Sequence, residues 1–395
     1  MQKKDRRIYL DHAATTPVDP AAAKAMAPYW SETFGNPGSL HSCGQQASAA
    51  VFEARRKIAK ELNCRYGEII FTGSATEANN LALRGAVKYA QQHAGLQGKP
   101  RIVISAIEHE SVMEVAEDLA RGGVDAVKAP VSEDGIIDLE ELKKLIDDST
   151  VLVSVMHVNN ETGTVQPVRE IAALIAAARL ARKSPWPLFH TDAVQAFNYL
   201  PCDVEDLNVD FLTLSGQKIY GPKGIGLLYV RNADRKPAAR LAPLLMGGGQ
   251  EGGLRSGTEN VPLIAGFAEA AAIAGRLRNK EVKRLKALQS YCIRKIAKEW
   301  AGAAVNGSLD CRVPNNINVC IPGIRAQETL IRLDRQGIAI SSGSACSARA
   351  LRPSAVLQAM GCDAERALES LRISMGRSTV KKHIDKLLAA LKNIK

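Results

Sequence analysis

What most limits the fold of this chain is the order of its apolar segments. Short apolar runs stand at Ile69–Thr72, Arg101–Ile104, Val151–Val155, Leu188–Thr191, Phe211–Leu214 and Gly226–Val230. Between several of them lie segments whose apolar residues repeat with helical period, at 75–91, 109–121 and 167–182. Runs this short read as strands, and strands joined through helices pair in parallel, with the helices covering the sheet. The expectation is an α/β fold whose large domain holds a mostly parallel sheet. After about residue 259 the pattern changes. A long helical stretch from Glu259 to about Trp300 leads to strands at Asn315–Val319, Ile338–Ile340 and Arg372–Ser374, mixed with helices over 325–334, 353–360 and 379–393. That predicts a second, smaller α+β domain.

Composition narrows the class. Of 395 residues, 46% are hydrophobic and 24% charged, enough for a large core without disulfide or metal staples. The eight cysteines (43, 64, 202, 292, 311, 320, 346 and 362) form no CxxC, so neither a zinc ribbon nor a thioredoxin motif is expected, and no metal site. So few thiols in so long a chain fit a reducing cytosol. The start, MQKKDRRIYLDHAATT, is charged without an apolar core, and the longest apolar run, near 171–178, falls short of a membrane span. A cytoplasmic protein without membrane contact is therefore expected. Lys and Arg number 52 against 41 Asp and Glu, a net charge of +11, which fits acidic ligands or a mildly basic surface. The basic clusters near Lys3 and near Lys381 have no interleaved aromatics, so direct nucleic-acid binding is weakly supported.

Ligands of parallel sheets gather beyond the carboxyl ends of the strands, so polar residues after each strand carry the search. Lys218, in Ser215-Gly216-Gln217-Lys218, follows Phe211–Leu214. A desolvated amine there forms a Schiff base with a carbonyl; a surface lysine in a turn is the plainer reading. Asp192, in His190-Thr191-Asp192-Ala193-Val194-Gln195, suits the partner of a protonated ring nitrogen, or a helix cap. Opposite charges about 4 Å apart attract by roughly 4 kcal/mol at a protein surface, enough to hold such a ring protonated. The segment Thr72-Gly73-Ser74-Ala75-Thr76-Glu77 opens a helix after a strand, which makes either an anion site or an ordinary cap. His109 follows Arg101–Ile104 and suits stacking on an aromatic ring with proton relay, or a structural place. Asn159, after Val151–Val155, offers an amide or a turn.

Cys346 stands in Ser341-Ser342-Gly343-Ser344-Ala345-Cys346, with no apolar neighbour to bury it and with Arg349 and Arg352 near enough to favour a thiolate. A flexible loop of this kind presents a nucleophile that must travel. Two other motifs fail on context. Gly247, Gly249 and Gly252 match GxGxxG but lack a surrounding βαβ unit, and Gly221-Pro222-Lys223-Gly224 lacks Walker spacing.

In this order the segments resemble the NifS/IscS-type cysteine desulfurases, pyridoxal-phosphate enzymes of the class-V aminotransferases with the aspartate-aminotransferase fold (fold type I). The resemblance runs from Tyr9-Leu10-Asp11-His12-Ala13-Ala14-Thr15-Thr16 to Arg372-Ile373-Ser374-Met375-Gly376-Arg377. It implies a large cofactor-binding domain over 16–262 and a small domain made of 1–15 with 263–395. By resemblance Lys218 is the Schiff-base lysine, His109 stacks on the ring and Asp192 pairs with its nitrogen. Gln195 and Asn159 contact the ring oxygen or substrate. Ala75, Thr76, Ser215 and Gln217 hold the phosphate, and Thr258 reaches the phosphate of a partner subunit, which implies a homodimer with shared sites. Arg372 clamps the substrate carboxylate as a guanidinium fork, assisted by Asn36.

The reaction implied converts L-cysteine to L-alanine. The freed Lys218 amine takes the Cα proton, the Cys346 thiolate attacks the substrate sulfur, and Cys346 keeps a persulfide for an acceptor. The SSGSAC segment resembles the long mobile loop of the first desulfurase group. The chain departs from the family at Gln217, where histidine is usual, and in stopping at Lys395 without the extended C-terminus that docks an iron–sulfur scaffold. Iron–sulfur assembly, tRNA thiolation and DNA phosphorothioation all remain open as destinations of the sulfur. A selenocysteine lyase or aminotransferase of the same fold has no need of the Cys346 loop. A catalytically silent sulfur-system scaffold has no need of Lys218, Asp192, His109 and Cys346 together.

Overall fold

The computed structural model describes residues 7–93, 98–232, 240–343 and 353–394. Its strands are β1 (Ile8–Tyr9), β2 (Ile69–Thr72), β3 (Arg101–Ser105), β4 (Asp125–Ala129), β5 (Thr150–Ser154), β6 (Leu188–Asp192), β7 (Phe211–Ser215), β8 (Gly226–Val230), β9 (Ala304–Val305), β10 (Asn316–Cys320), β11 (Ile338–Ala339) and β12 (Ser370–Ser374). Seven of them form one sheet in the order β2-β8-β7-β6-β5-β3-β4. Every pairing in it is parallel except the two made by β8. This is the mostly parallel sheet expected from the sequence.

The sheet is covered on both faces, which is why its central strands are continuous apolar runs rather than alternating ones. Successive residues of a strand point to opposite faces. Val153, Phe189, Leu212 and Leu227 accordingly join a core with the helices Ser42–Leu62 and Val168–Arg182. Their neighbours Leu152, Leu188, Phe211 and Leu228 join the opposite core, with the helices Ala75–His93 and Glu110–Arg121. Between them these cores fix the carboxyl ends of β3, β5, β6 and β7 side by side.

A third core lies around a smaller antiparallel sheet, β12-β10-β9, built from Ile317, Val319, Leu371 and Ile373. The chain's own start closes it. Residues Ile8 and Leu10 pack into this core, and β1 pairs in parallel with β11. The helix Val261–Glu299 spans both regions. Residues such as Phe267 and Ala271 belong to a core of the large sheet, whereas Leu285, Cys292 and Ile296 belong to that of the small one. Among the described residues no helix is long and apolar enough to cross a membrane.

Candidate active site

A cavity of about 300 Å³ opens beyond the carboxyl ends of β3, β5, β6 and β7. One wall is the start of the helix Ala75–His93. The first N–H groups of a helix have no partner within it. Here the Ser74 hydroxyl accepts from the Glu77 N–H at 3.1 Å and the Ser74 carbonyl from the Ala78 N–H at 3.1 Å. The Glu77 carboxylate turns back to the Gly73 N–H at 2.7 Å and is held by Arg255 at 2.8 Å. Among the described residues, none accepts from the Ala75 and Thr76 N–H groups, and both residues line the cavity. Ser215, at the end of β7, and Gln217, in the turn that follows, face the same space. Their side chains also have no hydrogen-bond partner among the described residues. Together these donors form a cradle for an anion.

Lys218 completes that turn. Its ammonium donates to the carbonyls of Ala13 and Ala14, each at 2.6 Å. The Gln195 amide donates to the Ala13 carbonyl as well, at 3.0 Å. Asp192, the last residue of β6, is 6% exposed. One of its oxygens accepts from the Val194 N–H at 3.0 Å and the other from the Asn79 amide at 2.9 Å. No helix begins directly after Asp192, so it is not a helix cap; the Val194 bond closes a turn, and the carboxylate keeps acceptor capacity beyond its two bonds. His109 likewise caps the helix Glu110–Arg121, accepting the Ser111 N–H at Nδ1, and lines the cavity.

Arg372, on β12, reaches the cavity from the small sheet. It is 1% exposed and donates to Asp11 at 3.0 Å and to the Asn160 carbonyl at 3.0 Å, while its Nε is buried without a partner among the described residues. Burial raises the Asp11 carboxyl above its ordinary value, with Arg372 opposing. Beside His109, Glu108 is buried. One oxygen accepts from the Met156 N–H at 2.6 Å, and the other has no partner among the described residues. Burial pushes this carboxyl well above the usual carboxylate range; the Met156 bond opposes the rise, and the charge of Asp192 adds to it.

The remaining sequence-predicted residues lie elsewhere. Asn159 is fully buried; its amide donates to the Ile107 carbonyl at 3.0 Å, and its oxygen accepts from the Glu161 and Thr162 N–H groups, each at 2.9 Å. It shapes the turn that brings its neighbour Asn160 to the cavity wall. Asn36 and Thr258 meet at a second cavity, of about 290 Å³, lined also by Phe34 and Pro37. Cys346 lies outside the described residues. Four residues around the main cavity were not singled out from the sequence: Asp11, Asn79, Ser111 and Asn160. Each stands one to four positions from a predicted site residue or in the N-terminal motif, so only the positions of their neighbours pointed to them.

The sequence profile of class-V aminotransferases matches residues 8–387. The chain belongs to the class-V aminotransferase family. Among curated members of that family, it is 39% identical over 389 residues to the cysteine desulfurase IscS of Dictyoglomus turgidum, covering 98% of this chain and 94% of that one. Its fold is similar to that of a solved NifS-like protein, with a TM-score of 0.88 and 35% identity over 98% of this chain and 99% of the other. It is also similar to a structure of SspA in complex with cysteine, with a TM-score of 0.78 and 35% identity over 94% of this chain and 100% of that one. The class-V cavity in this chain thus sits where the large sheet, the N-terminal segment and β12 converge.

Proposed function

We propose that the chain is a pyridoxal-phosphate-dependent cysteine desulfurase, which converts L-cysteine to L-alanine and passes the sulfur on through Cys346. The observation that carries this reading is the placing of Lys218 in one cavity with the buried Asp192 carboxylate and the open donors of Ala75 and Thr76. This donor set fits pyridoxal phosphate. The N–H groups of Ala75 and Thr76, with Ser215 and Gln217, suit a phosphate; Asp192 suits a protonated ring nitrogen; Lys218 offers an amine for the aldehyde; His109 offers a ring to stack on. When bound, that cofactor supplies an electron sink for negative charge at the substrate Cα.

The chain's own residues do the rest. Arg372 holds the substrate carboxylate, and Lys218, once freed, takes the Cα proton. The Cys346 thiolate bonds to the substrate sulfur as the carbon–sulfur bond breaks, and carbon gains a proton. The balance is cysteine plus a thiol giving alanine plus a persulfide, with no outside oxidant. Two copies of the chain share the sites. Support for this is the separation of Thr258 and Asn36 from Lys218, together with the exposed apolar side chains nearby, Phe34 at 72% and Trp30 at 59%. A cofactor-binding unit over 16–262 with a small unit of 1–15 and 263–395 draws support from the separate core around β10 and β12, while Phe267 and Ala271 of the shared helix pack with the large sheet. The cytoplasm is the expected place of work, and the sulfur acceptor is a protein.

The test is optical and chemical. The purified protein with pyridoxal phosphate should show an absorption band in the near-UV or visible range that changes on adding L-cysteine, with alanine formed. Cys346→Ala should keep the spectral change and lose sulfide release by at least a hundredfold. Sulfide release by Cys346→Ala at the wild-type rate would remove Cys346 from its role, and absence of any band would remove the cofactor.

A further inference from the structure

We propose that Asn79 and Ser111 are positioning residues that couple Asp192 to His109 and fix which ring nitrogen of His109 carries the proton. The proposal rests on the cofactor reading above for its consequence, but not for its geometry. Asn79 lies on the helix Ala75–His93, one turn beyond the open Ala75 and Thr76 donors, and is fully buried. Its NH2 group has two hydrogens and both are used. One goes to Asp192 Oδ2 at 2.9 Å, the other to Ser111 Oγ at 2.8 Å. The orientation of this amide is set by chemistry, because turning it would place its oxygen against the Asp192 carboxylate, two acceptors facing each other.

The direction of the next bond follows. Ser111 Oγ accepts from Asn79, so its own hydrogen is free to be given, and the neighbour is His109 Nδ1 at 2.8 Å. The same Nδ1 accepts from the Ser111 N–H at 3.1 Å. A nitrogen that accepts from two donors holds no proton of its own. The proton of the neutral ring is therefore on Nε2, the nitrogen left to meet a bound group. Asn79 is the source of both branches, one ending on Asp192 and the other on His109. Its own Oδ1 is buried without a partner among the described residues, none of which competes on that side for its orientation. Removing its amide strips a donor from Asp192 and frees the Ser111 hydroxyl to turn away from His109. Bonds in such a chain reinforce one another, so its parts fail together rather than separately.

The test reads the histidine directly in protein freed of cofactor. Two-bond 1H–15N spectra of protein labelled at its histidines, of which there are 7, report the tautomer of each ring, and His109→Gln assigns the His109 signal. Of the two neutral forms, the wild type should show Nε2–H alone. Ser111→Ala and Asn79→Ala should each bring in the Nδ1–H form at about a tenth or more of the population, and Ser111→Thr, which keeps the hydroxyl, should restore the wild-type signal. Added pyridoxal phosphate should bind Asn79→Ala about tenfold more weakly, the loss expected for a hydrogen bond to a charged group. The double variant should be no weaker than Asn79→Ala. An unchanged His109 signal in both single variants, or losses that multiply in the double variant, would overturn the proposal. Wild-type protein that binds no pyridoxal phosphate would instead overturn the cofactor reading, with the His109 spectra still deciding on the network.

Discussion

Two cations at the cavity, Lys218 and Arg372, both lean on the segment 11–14. Lys218 donates to the carbonyls of Ala13 and Ala14, and Arg372 to the Asp11 carboxylate. These oxygens hold positive charge beside the anion cradle and fix the position of the lysine. Gln217 is the residue of the cradle at which the resemblance implies histidine. An amide gives a neutral hydrogen bond to phosphate, while a protonated imidazole gives one about twice as strong. Gln217→His should therefore tighten pyridoxal phosphate by about threefold to tenfold below pH 6.5, as measured by titration of cofactor-free protein; unchanged affinity would deny Gln217 contact with the phosphate. Glu108 gives a prediction about stability. Its folded pKa is raised, so between its ordinary value of 4.5 and the raised one the folded chain holds a proton that the unfolded chain has lost. Its contribution is present below 4.5 and disappears as pH climbs through the folded value. Glu108→Gln imitates the neutral form at every pH. Its stability relative to wild type should thus grow from pH 5 to pH 8, by about 1.4 kcal/mol per unit inside the window. Equal urea midpoints at both pH values would show that Glu108 is charged when folded. At this scale the sequence exposed the residues placed at strand ends, Asp192 and Lys218, because topology alone aims them. It did not expose Asn79 or Ser111, whose role exists only once two helices, Ala75–His93 and Glu110–Arg121, are packed together.

The elements that build the site meet with little room to spare. Gly226, first residue of β8, pairs with Thr72 of β2. A Cβ on it would stand 2.5 Å from the carbonyl carbon of Ser74 and 2.7 Å from the Ala75 nitrogen. These are main-chain atoms of the helix start that forms the anion cradle, and they cannot swing aside as a side chain does. Gly226→Ala should push that helix start away from the cavity, costing about 1–3 kcal/mol of stability and at least tenfold in pyridoxal phosphate affinity. Wild-type affinity in this variant would mean that the cradle adjusts freely. The strands and helices expected from the sequence lie within two residues of those observed. Several elements went unread, the strand β4 and the helix Ser42–Leu62 among them, besides short pieces such as Pro20–Met26 and Leu139–Leu145. The strand β4 is half-buried at the edge of the sheet and carries Asp125 and Lys128 among its five residues, so it lacks the apolar run of its neighbours. The helix Ser42–Leu62 buries Ala47, Val51, Ala54, Ile58 and Leu62 on one face, a period that was legible but carried largely by small alanines.

At the scale of the whole molecule, the helix Val261–Glu299 ties the regions together. Its first half is core to the large sheet and its second half core to the small one, and a rod shared in this way is expected to make the two regions unfold as one. Trp186 packs in a core of the large sheet and Trp300 in that of the small sheet. Variants that keep only one of these tryptophans should give the same denaturant midpoint by fluorescence; midpoints that differ by more than about 1 M urea would show two independent units. The sequence marked the change of character near residue 259 but not this sharing, because helical period does not say what each turn packs against. The joining of the chain's two ends has a further consequence, in time rather than space. The Ala13 N–H is bonded to the Ser374 hydroxyl across 361 residues of sequence. At about 5–20 residues per second, a ribosome needs roughly 20–70 s to make the stretch between them. For that period the carbonyls of Ala13 and Ala14 have been synthesised but have no floor to rest on; Lys218 follows Ala13 by 205 residues, and from then until Ser374 is made the nascent chain carries its lysine in an unfinished pocket.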